Sequence, residues 1–217
     1  CPNHCAFCIH PVKSNHNRRV RNTRRLVDEV KTLQSRYGIS TFRFAGSCTP
    51  VDLFNSFADQ LLREGVSCLY SSFAHIRGSD GIDFEALRRS GCIALFYGIE
   101  SGSQRILDGM HKGVKTEQIK RVIDKTKQAG IYVVGSLIFP SPGETEATEQ
   151  ETLSLLAEKK PDAILVGAPL VVPGTGWFEK AEKSVIDFHD KKRYISTALR
   201  WKVKLLLPPS FWAPTPV

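Results

Sequence analysis

The sequence lacks any uninterrupted apolar stretch of the ~20 residues that a membrane-spanning helix requires. It also lacks a signal-peptide pattern, a short-period repeat and a low-complexity segment. Apolar residues are nevertheless plentiful: 41% of the 217 residues are hydrophobic and 24% are charged, a balance that excludes intrinsic disorder. Since no initiator Met precedes Cys1, we expect the chain to be a piece of a longer protein.

Cysteine is too sparse and too unevenly spaced for the disulfide framework of a small secreted protein, with 6 in the whole chain. Cys1, Cys5 and Cys8 form a trio at the amino terminus. A trio this tight indicates metal or iron–sulfur ligation in a reducing compartment, so we expect a cytoplasmic protein. The other three are scattered singly, and we expect them to be small core residues. They are Cys48, Cys68 and Cys92.

Acidic residues are in the minority, with 22 Asp and Glu against 30 Lys and Arg, which gives a formal net charge of +8. This surplus suits acidic small molecules, phosphates or nucleic acid, and it does not distinguish among them. A basic run follows the cysteine trio and includes Lys13, Arg18, Arg19, Arg21, Arg24 and Arg25. The ordinary interpretation is a solvated loop, but arginines in a first helical turn oppose the helix dipole and favour a bound anion or an acidic partner domain.

Helical and strand-like patterns alternate along the chain, and Gly or Pro marks each helix-to-strand junction. Helices are predicted to begin near Thr23, Thr49-Pro50, Asp83, Thr116 and Glu146. Strands are predicted over residues 41–45, 66–71, 92–99, 131–139 and 162–170. This alternation indicates βαβ units in a parallel α/β sheet, with a ligand site at the carboxyl ends of the strands. The pattern leaves open whether the sheet curls into a partial barrel, and it leaves room for a further strand upstream of Cys1.

The cysteine trio has C-x3-C-x2-C spacing. Three thiolates this close can ligate three irons of a [4Fe–4S] cluster from one wrapped loop. Because the run contains no fourth cysteine, one iron is left open to another ligand, as one position is in catalytic zinc sites. An alternative is a zinc site completed by nearby histidines within a nucleic-acid-binding module. The candidate histidines are His4, His10 and His16.

This run resembles the cluster motif of the radical S-adenosylmethionine (SAM) superfamily, including the aromatic Phe7 before the third cysteine. The resemblance extends over most of residues 1–178. It continues through Arg21-Asn22, Val27-Asp28-Glu29-Val30, Tyr97-Gly98-Ile99-Glu100-Ser101-Gly102-Ser103-Gln104-Arg105-Ile106-Leu107, Pro142-Gly143-Glu144-Thr145 and Pro173-Gly174-Thr175. The segment around Glu100 is similar to the fourth-strand motif of the branch that often carries a cobalamin-binding domain.

The resemblance implies a partial (β/α)6-type barrel whose first strand is missing from this chain. It implies a radical SAM core over residues 1–178, followed over 179–217 by a C-terminal helical extension and a Pro-rich tail. The implied reaction is reductive cleavage of SAM at a [4Fe–4S] cluster, giving a 5′-deoxyadenosyl radical that modifies a small-molecule or other substrate. Implied partners are an electron donor such as flavodoxin or ferredoxin, and cobalamin held by a domain outside the chain. A radical SAM enzyme without cobalamin, similar to a methylthiotransferase, is the alternative within the superfamily.

The resemblance also implies which residues contact SAM. Phe7 is expected to pack near the adenine, and Glu100, with Ser101 beside it, to accept hydrogen bonds from the ribose hydroxyls. Pro142-Gly143 is expected to let the backbone approach the adenine edge. Where this branch often has paired acidic residues after its second strand, the chain has none, so Ser47 or backbone carbonyls are expected to hold the SAM amino group. His75 and Arg77 are candidates for contact with the SAM carboxylate or the substrate.

Overall fold

A computed structural model describes residues 3–15 and 19–180 of the protein. Its strands are β1 (Thr41–Arg43), β2 (Leu69–Ala74), β3 (Cys92–Glu100), β4 (Tyr132–Ile138) and β5 (Ala163–Gly167). Its helices are α1 (His10–Lys13), α2 (Thr23–Tyr37), α3 (Val51–Arg63), α4 (Phe84–Arg89), α5 (Gln104–Gly109), α6 (Thr116–Gln128), α7 (Glu146–Lys159) and α8 (Gly176–Lys180), with a 3-10 turn at Ser79–Gly81. Among these, no helix has the length and apolar character needed to cross a bilayer.

All neighbouring strands pair in parallel, in the order β1-β2-β3-β4-β5. The sequence prediction of a parallel α/β sheet is therefore confirmed. Consecutive strands lie side by side because each intervening helix packs back on the sheet before the next strand begins. This arrangement brings the carboxyl ends of all five strands, and the loops that follow them, to one edge.

The core lies between one face of the sheet and the helices. Its fully buried members include Val27, Leu61, Leu87, Leu95, Ile99, Ile119, Ile123 and Val133. Alternate strand residues point to the other side, which we call the inner face. Its residues are less buried than their immediate neighbours in the chain, and they include Arg43, Ser71, Phe73, Phe96, Val134 and Ser136.

Most element boundaries follow local capping chemistry. The prediction that Asp83 caps a helix is confirmed, since its carboxylate accepts a hydrogen bond from the amide of Ala86 at 2.9 Å. The prediction of Thr23 as a cap is wrong by one residue, because the Asn22 side chain accepts from the Arg25 amide. Strand β2 begins later than expected because pairing with β1 starts only at Leu69.

Some sequence expectations concern residues outside those that the structure describes. They involve the cluster-loop residue Cys1, the zinc-ligand candidate His16, Arg18 of the basic run and the tail over 181–217. The division into a core over 1–178 and an extension over 179–217 therefore stays a prediction.

Candidate active site

The cysteine loop lies against two other segments and is held by main-chain hydrogen bonds. Cys5 and Cys8 are half-buried, and the Cys8 amide donates to the Cys5 carbonyl at 3.0 Å, which closes a tight turn. Between them, the Ala6 amide donates to the Met110 carbonyl at 2.8 Å. The Ala6 carbonyl accepts from the Trp177 amide at 2.9 Å. The loop is thus tied both to the end of α5 and to the start of α8.

A small apolar cluster beneath the loop reinforces this attachment. Its buried members are Ala6, Ile106, Met110 and Trp177, with Phe7 and Ile138 packed against them. The rings of Phe7 and Trp177 lie 5.5 Å apart between centroids and are tilted by 52°. Aromatic pairs at this separation stabilise a contact beyond simple burial. The loop therefore presents its cysteines from a fixed base.

The chemistry of the loop fits iron–sulfur ligation. Burial raises the pKa of the Cys5 thiol, the nearby Lys112 ammonium opposes this rise, and Cys8 and Glu100 add to it. Thiolates are the ligands that iron–sulfur clusters use. Within residues 3–15 and 19–180, no three Cys, His, Asp or Glu side chains form a metal-binding group. The predicted ligand set includes Cys1, which lies outside these residues. The two described histidines of the zinc alternative, His4 and His10, are exposed.

A buried ion pair stands next to this loop at the end of β3. The Lys112 ammonium donates to Oε1 of Glu100 at 2.8 Å, and the two side chains are only 4% and 8% exposed. Lys112 Nζ also lies 5.6 Å from the centroid of the Phe7 ring, within reach of a cation–π interaction. Lys112 therefore connects Glu100 to the cysteine loop.

Local backbone geometry places Glu100 where it can meet Lys112. The parallel register between β3 and β4 shifts between Gly98 and Glu100, and Glu100 has φ of 65°, a left-handed conformation unusual for a residue with a side chain. Strain of this kind concentrates at functional sites. Gly98 makes room for the pair, since a Cβ there would overlap the Glu100 carboxylate and lie 2.8 Å from Lys112 Nζ.

Ser101 lies behind the site and is only 1% exposed. Its hydroxyl is hydrogen-bonded to the Thr152 hydroxyl at 3.1 Å and accepts from the Ser103 amide at 3.1 Å. The Gly102 amide donates to the same Thr152 hydroxyl at 2.9 Å. These bonds fix the turn from β3 to α5 against α7, and a contact of Ser101 with SAM stays a prediction.

The turn after β4 carries Pro142 and Gly143, both exposed. Arg105 on α5 donates to the Gly143 carbonyl at 2.7 Å and to the Thr145 hydroxyl at 3.3 Å. Within the turn, the Ser141 amide donates to the Glu144 carboxylate at 3.2 Å. The exposed turn is therefore tied to the same short helix that anchors the cysteine loop.

A cleft of about 390 Å³ opens at the ends of β1 and β2. Cys48, Thr49, His75 and Asn3 are among the residues that line it, and half-buried Ser47 lies in the loop beside Cys48. Cys48 is thus a lining residue, which corrects its expected place in the core. The other two single cysteines are buried core residues as expected, Cys68 and Cys92.

His75 is held in this cleft as a neutral imidazole. Burial, aided by the positive charges of Lys112 and Arg77, lowers the pKa of His75 to about 3. Its Nδ1 accepts a hydrogen bond from the Arg77 amide at 3.0 Å, which leaves the hydrogen on Nε2. Among the described residues, buried Nε2 has no hydrogen-bond partner.

Sequence reasoning selected Phe7, Glu100 and Gly143 as candidates but missed the neighbouring groups that hold them or make room for them. Lys112 follows α5 in a polar turn and looks like an ordinary surface lysine in the sequence. Gly98 and Arg105 lie within the segment over 97–107 that resembles the family motif, but roles were assigned there only to Glu100 and Ser101. Nothing in the residue pattern marks these three, because their roles come from contacts across the fold.

Comparison with known proteins identifies the family of this chain. The family model of the radical SAM superfamily matches residues 1–156. The chain is 24% identical over 183 residues to an uncharacterised methyltransferase of Pyrococcus horikoshii, covering 83% of this chain and 40% of the relative. It is 27% identical over 192 residues to a tRNA-2-methylthio-N(6)-dimethylallyladenosine synthase of Prosthecochloris aestuarii, covering 81% of this chain and 42% of the relative.

Among solved structures, the fold is similar to the radical SAM methyltransferase TsrM of Kitasatospora setae, whose structure has cobalamin and a [4Fe–4S] cluster bound. The TM-score is 0.64 at 17% identity, over 82% of this chain and 34% of that one. The chain spans less than half the length of each of these three proteins. With the family match covering most of its residues, the chain belongs to the radical SAM superfamily, whose enzymes use SAM together with a [4Fe–4S] cluster.

Proposed function

We propose that this chain is the catalytic core of a cobalamin-associated radical SAM enzyme, in which Cys1, Cys5 and Cys8 hold the cluster. The observation that carries the proposal is the buried Glu100–Lys112 pair beside the cysteine loop, at the carboxyl edge of the sheet. The desolvation of two buried charges can offset their attraction, so stability alone does not account for this pair. When bound, the [4Fe–4S] cluster supplies the electron that cleaves SAM into methionine and a 5′-deoxyadenosyl radical.

The residues of the chain bind and orient SAM. Oε1 of Glu100 accepts from Lys112, which leaves Oε2 to accept a hydrogen bond from a ribose hydroxyl. The hydrogen bond from Lys112 fixes the carboxylate in place, so its orientation need not be reorganised when SAM binds. Phe7 offers a ring for packing near the adenine.

The loops that follow β1 and β4 complete the SAM site in this proposal. The backbone of Pro142-Gly143, held by Arg105, approaches the adenine edge. Ser47, at the end of β1, offers a hydroxyl to the SAM amino group, in the place where the branch often has carboxylates. Ser101 supports the ribose contact from behind through its bond to Thr152.

The cobalamin association is supported by one structural neighbour, a radical SAM methyltransferase with cobalamin bound. The relative from Pyrococcus horikoshii is described as an uncharacterised methyltransferase, which is consistent with methyl transfer and does not name cobalamin. We infer that a domain outside these residues binds cobalamin and that flavodoxin or ferredoxin supplies electrons. The second candidate is a methylthiotransferase without cobalamin, favoured by the similarity to a tRNA methylthiolation enzyme.

Anaerobic reconstitution of the full-length protein tests the proposal. With SAM and dithionite, the wild type should release 5′-deoxyadenosine, measured by liquid chromatography with mass detection. Cys5→Ala should lose both the cluster and this product, while Cys68→Ala, which alters a core cysteine outside the loop, should keep both. A four-iron, SAM-bound wild type that forms no 5′-deoxyadenosine would overturn the reaction. A cobalamin absorbance spectrum in protein grown with the vitamin separates the two candidates, since the methylthiotransferase alternative predicts none.

A further inference from the structure

Arg43 makes an unusual contact on the inner face of the sheet. Its guanidinium carbon lies 4.4 Å from the centroid of the Phe96 ring and 4.8 Å from that of the Phe73 ring. The two rings are themselves paired, with centroids 5.3 Å apart. Both distances are within the range of a cation–π interaction. Two aromatic faces therefore hold one guanidinium in a fixed place.

The Arg43 guanidinium has donors to spare. In the part of the chain that the structure describes, no hydrogen bond or ion pair to it is observed. An arginine that stacks on rings keeps its planar set of N–H donors, which matches the two oxygens of a carboxylate or the oxygens of a phosphate. Stacking fixes the side chain in advance, which lowers the entropy that a ligand must overcome.

A second donor stands at the carboxyl end of β2. His75 is two residues beyond Phe73, just past the end of the strand at Ala74, and it lines the cleft at the ends of β1 and β2. The buried Nε2–H of His75 lacks a partner among the described residues, although such groups are nearly always satisfied. A ligand oxygen near the end of β2 would satisfy it.

This face is continuous with the proposed SAM site. Phe96 and Gly98 alternate on β3 to the same side, and Gly98 faces the Glu100–Lys112 pair. Lys112 is also close enough to His75 to lower its pKa. A molecule resting on Phe73, Phe96 and Arg43 would therefore lie below the cysteine loop and near the position proposed for SAM.

We propose that Arg43, held by Phe73 and Phe96, binds an oxyanion of the substrate, a carboxylate or a phosphate, and that His75 donates a second hydrogen bond to the same molecule. That this molecule is the substrate rests on the proposed function. The site itself rests only on the stacked arginine and the unpartnered imidazole.

Ligand-observed saturation-transfer NMR on the full-length protein, saturated with SAM, tests this site. The probes are benzoate and phenyl phosphate, with benzamide as the uncharged control. Wild type should bind one or both anions but not benzamide, and the tighter anion identifies the substrate's acid group. Arg43→Met should weaken anion binding about tenfold or more, since a charge-assisted, two-pronged contact is lost. Arg43→Lys, which keeps the charge, should give an intermediate loss if the methionine variant fails to fold.

A matched control is Arg36→Met, which removes an exposed arginine near the end of α2 and should leave anion binding unchanged. Anion binding that is as tight in Arg43→Met and Arg43→Lys as in wild type would overturn the site. Anion binding that occurs only when SAM is left out would also overturn it, because the anion recognised would then be SAM's own carboxylate. If the wild type binds the anions but releases no 5′-deoxyadenosine, this site stands and the proposed function falls. If it cleaves SAM but binds neither anion, the site alone falls.

Discussion

Replacing Gly98 with alanine would test whether the position of the Glu100–Lys112 pair sets the affinity for SAM. The backbone at Gly98 does not have a positive φ, so alanine can adopt it without backbone strain. The added methyl group would overlap the Glu100 carboxylate and lie 2.8 Å from Lys112 Nζ, where ordinary contacts begin at 3.4 Å. Both atoms are ends of flexible side chains, so the pair should move while the sheet stays intact.

The size of the effect follows from what must move. Lys112 Nζ has to retreat by more than half an ångström, and the Glu100 carboxylate by more than that. Crowding of this kind costs about 1 kcal/mol of unfolding free energy when side-chain ends can yield. A hydrogen bond to a charged group is worth about 1.5–3 kcal/mol, and weakening the one to the ribose by half should lower SAM affinity about three- to tenfold.

The assay is isothermal titration of SAM into anaerobically reconstituted full-length protein. Iron content and the electron paramagnetic resonance spectrum of the reduced cluster should match wild type, because the change lies outside the cysteine loop. Gly167→Ala is the matched control: it places a Cβ at the end of β5, 3.7 Å from the Leu137 carbonyl oxygen, and should not alter SAM binding. If Gly98→Ala keeps its cluster and binds SAM as tightly as wild type, the pair does not orient SAM and the reasoning fails.

Three further outcomes are expected. Glu100→Gln should lower SAM affinity about ten- to a hundredfold in the same titration while leaving the iron content unchanged; an unaltered affinity would remove its ribose role. Arg105→Gln removes the hydrogen bond to the Gly143 carbonyl and should weaken SAM binding only a few-fold. Its melting temperature, measured by circular dichroism, should stay within a few degrees of the wild-type value. A loss of SAM affinity as large as that of Glu100→Gln would indicate that Arg105 contacts SAM directly. The pKa of His75 is about 3 in the folded protein, below its value of 6.5 in the unfolded chain. Between these pH values the unfolded chain binds more protons than the folded protein, so the free energy of unfolding decreases as the pH falls. Urea denaturation should therefore show wild type losing about 1.4 kcal/mol more than His75→Phe between pH 7.5 and pH 5.5, and parallel losses would contradict a neutral buried imidazole.

Local patterns in the sequence were enough to predict the parallel sheet. The cap at Asp83 and the run of glycines at helix ends depend on neighbours in the chain, so the sequence displays them directly. The short helix α5 was not predicted, because six residues offer too little periodicity to distinguish a helix from a turn. Strand β2 was placed too early because its start depends on where it meets β1, a contact between distant residues.

The site shows the same division between local and distant information. The spacing of Cys5 and Cys8 and the segment around Glu100 are local, and both were recognised. Lys112 pairs with Glu100 although 12 positions separate them in the chain and helix α5 lies between them. No local pattern of residue types indicates this pairing. Arg43 meets Phe73 and Phe96 only because three strands stand in register.

The main-chain bridge at Ala6 has a consequence for how the protein is assembled. The Ala6 amide donates to the carbonyl of Met110, two residues before Lys112. The same short segment therefore positions both the cysteine loop and the Glu100–Lys112 pair. Sites that share an ordered element are thermodynamically linked, and the linkage is reciprocal. We therefore expect cluster insertion to tighten SAM binding, and bound SAM to tighten cluster binding against a competing chelator at equilibrium, by the same free energy in each direction.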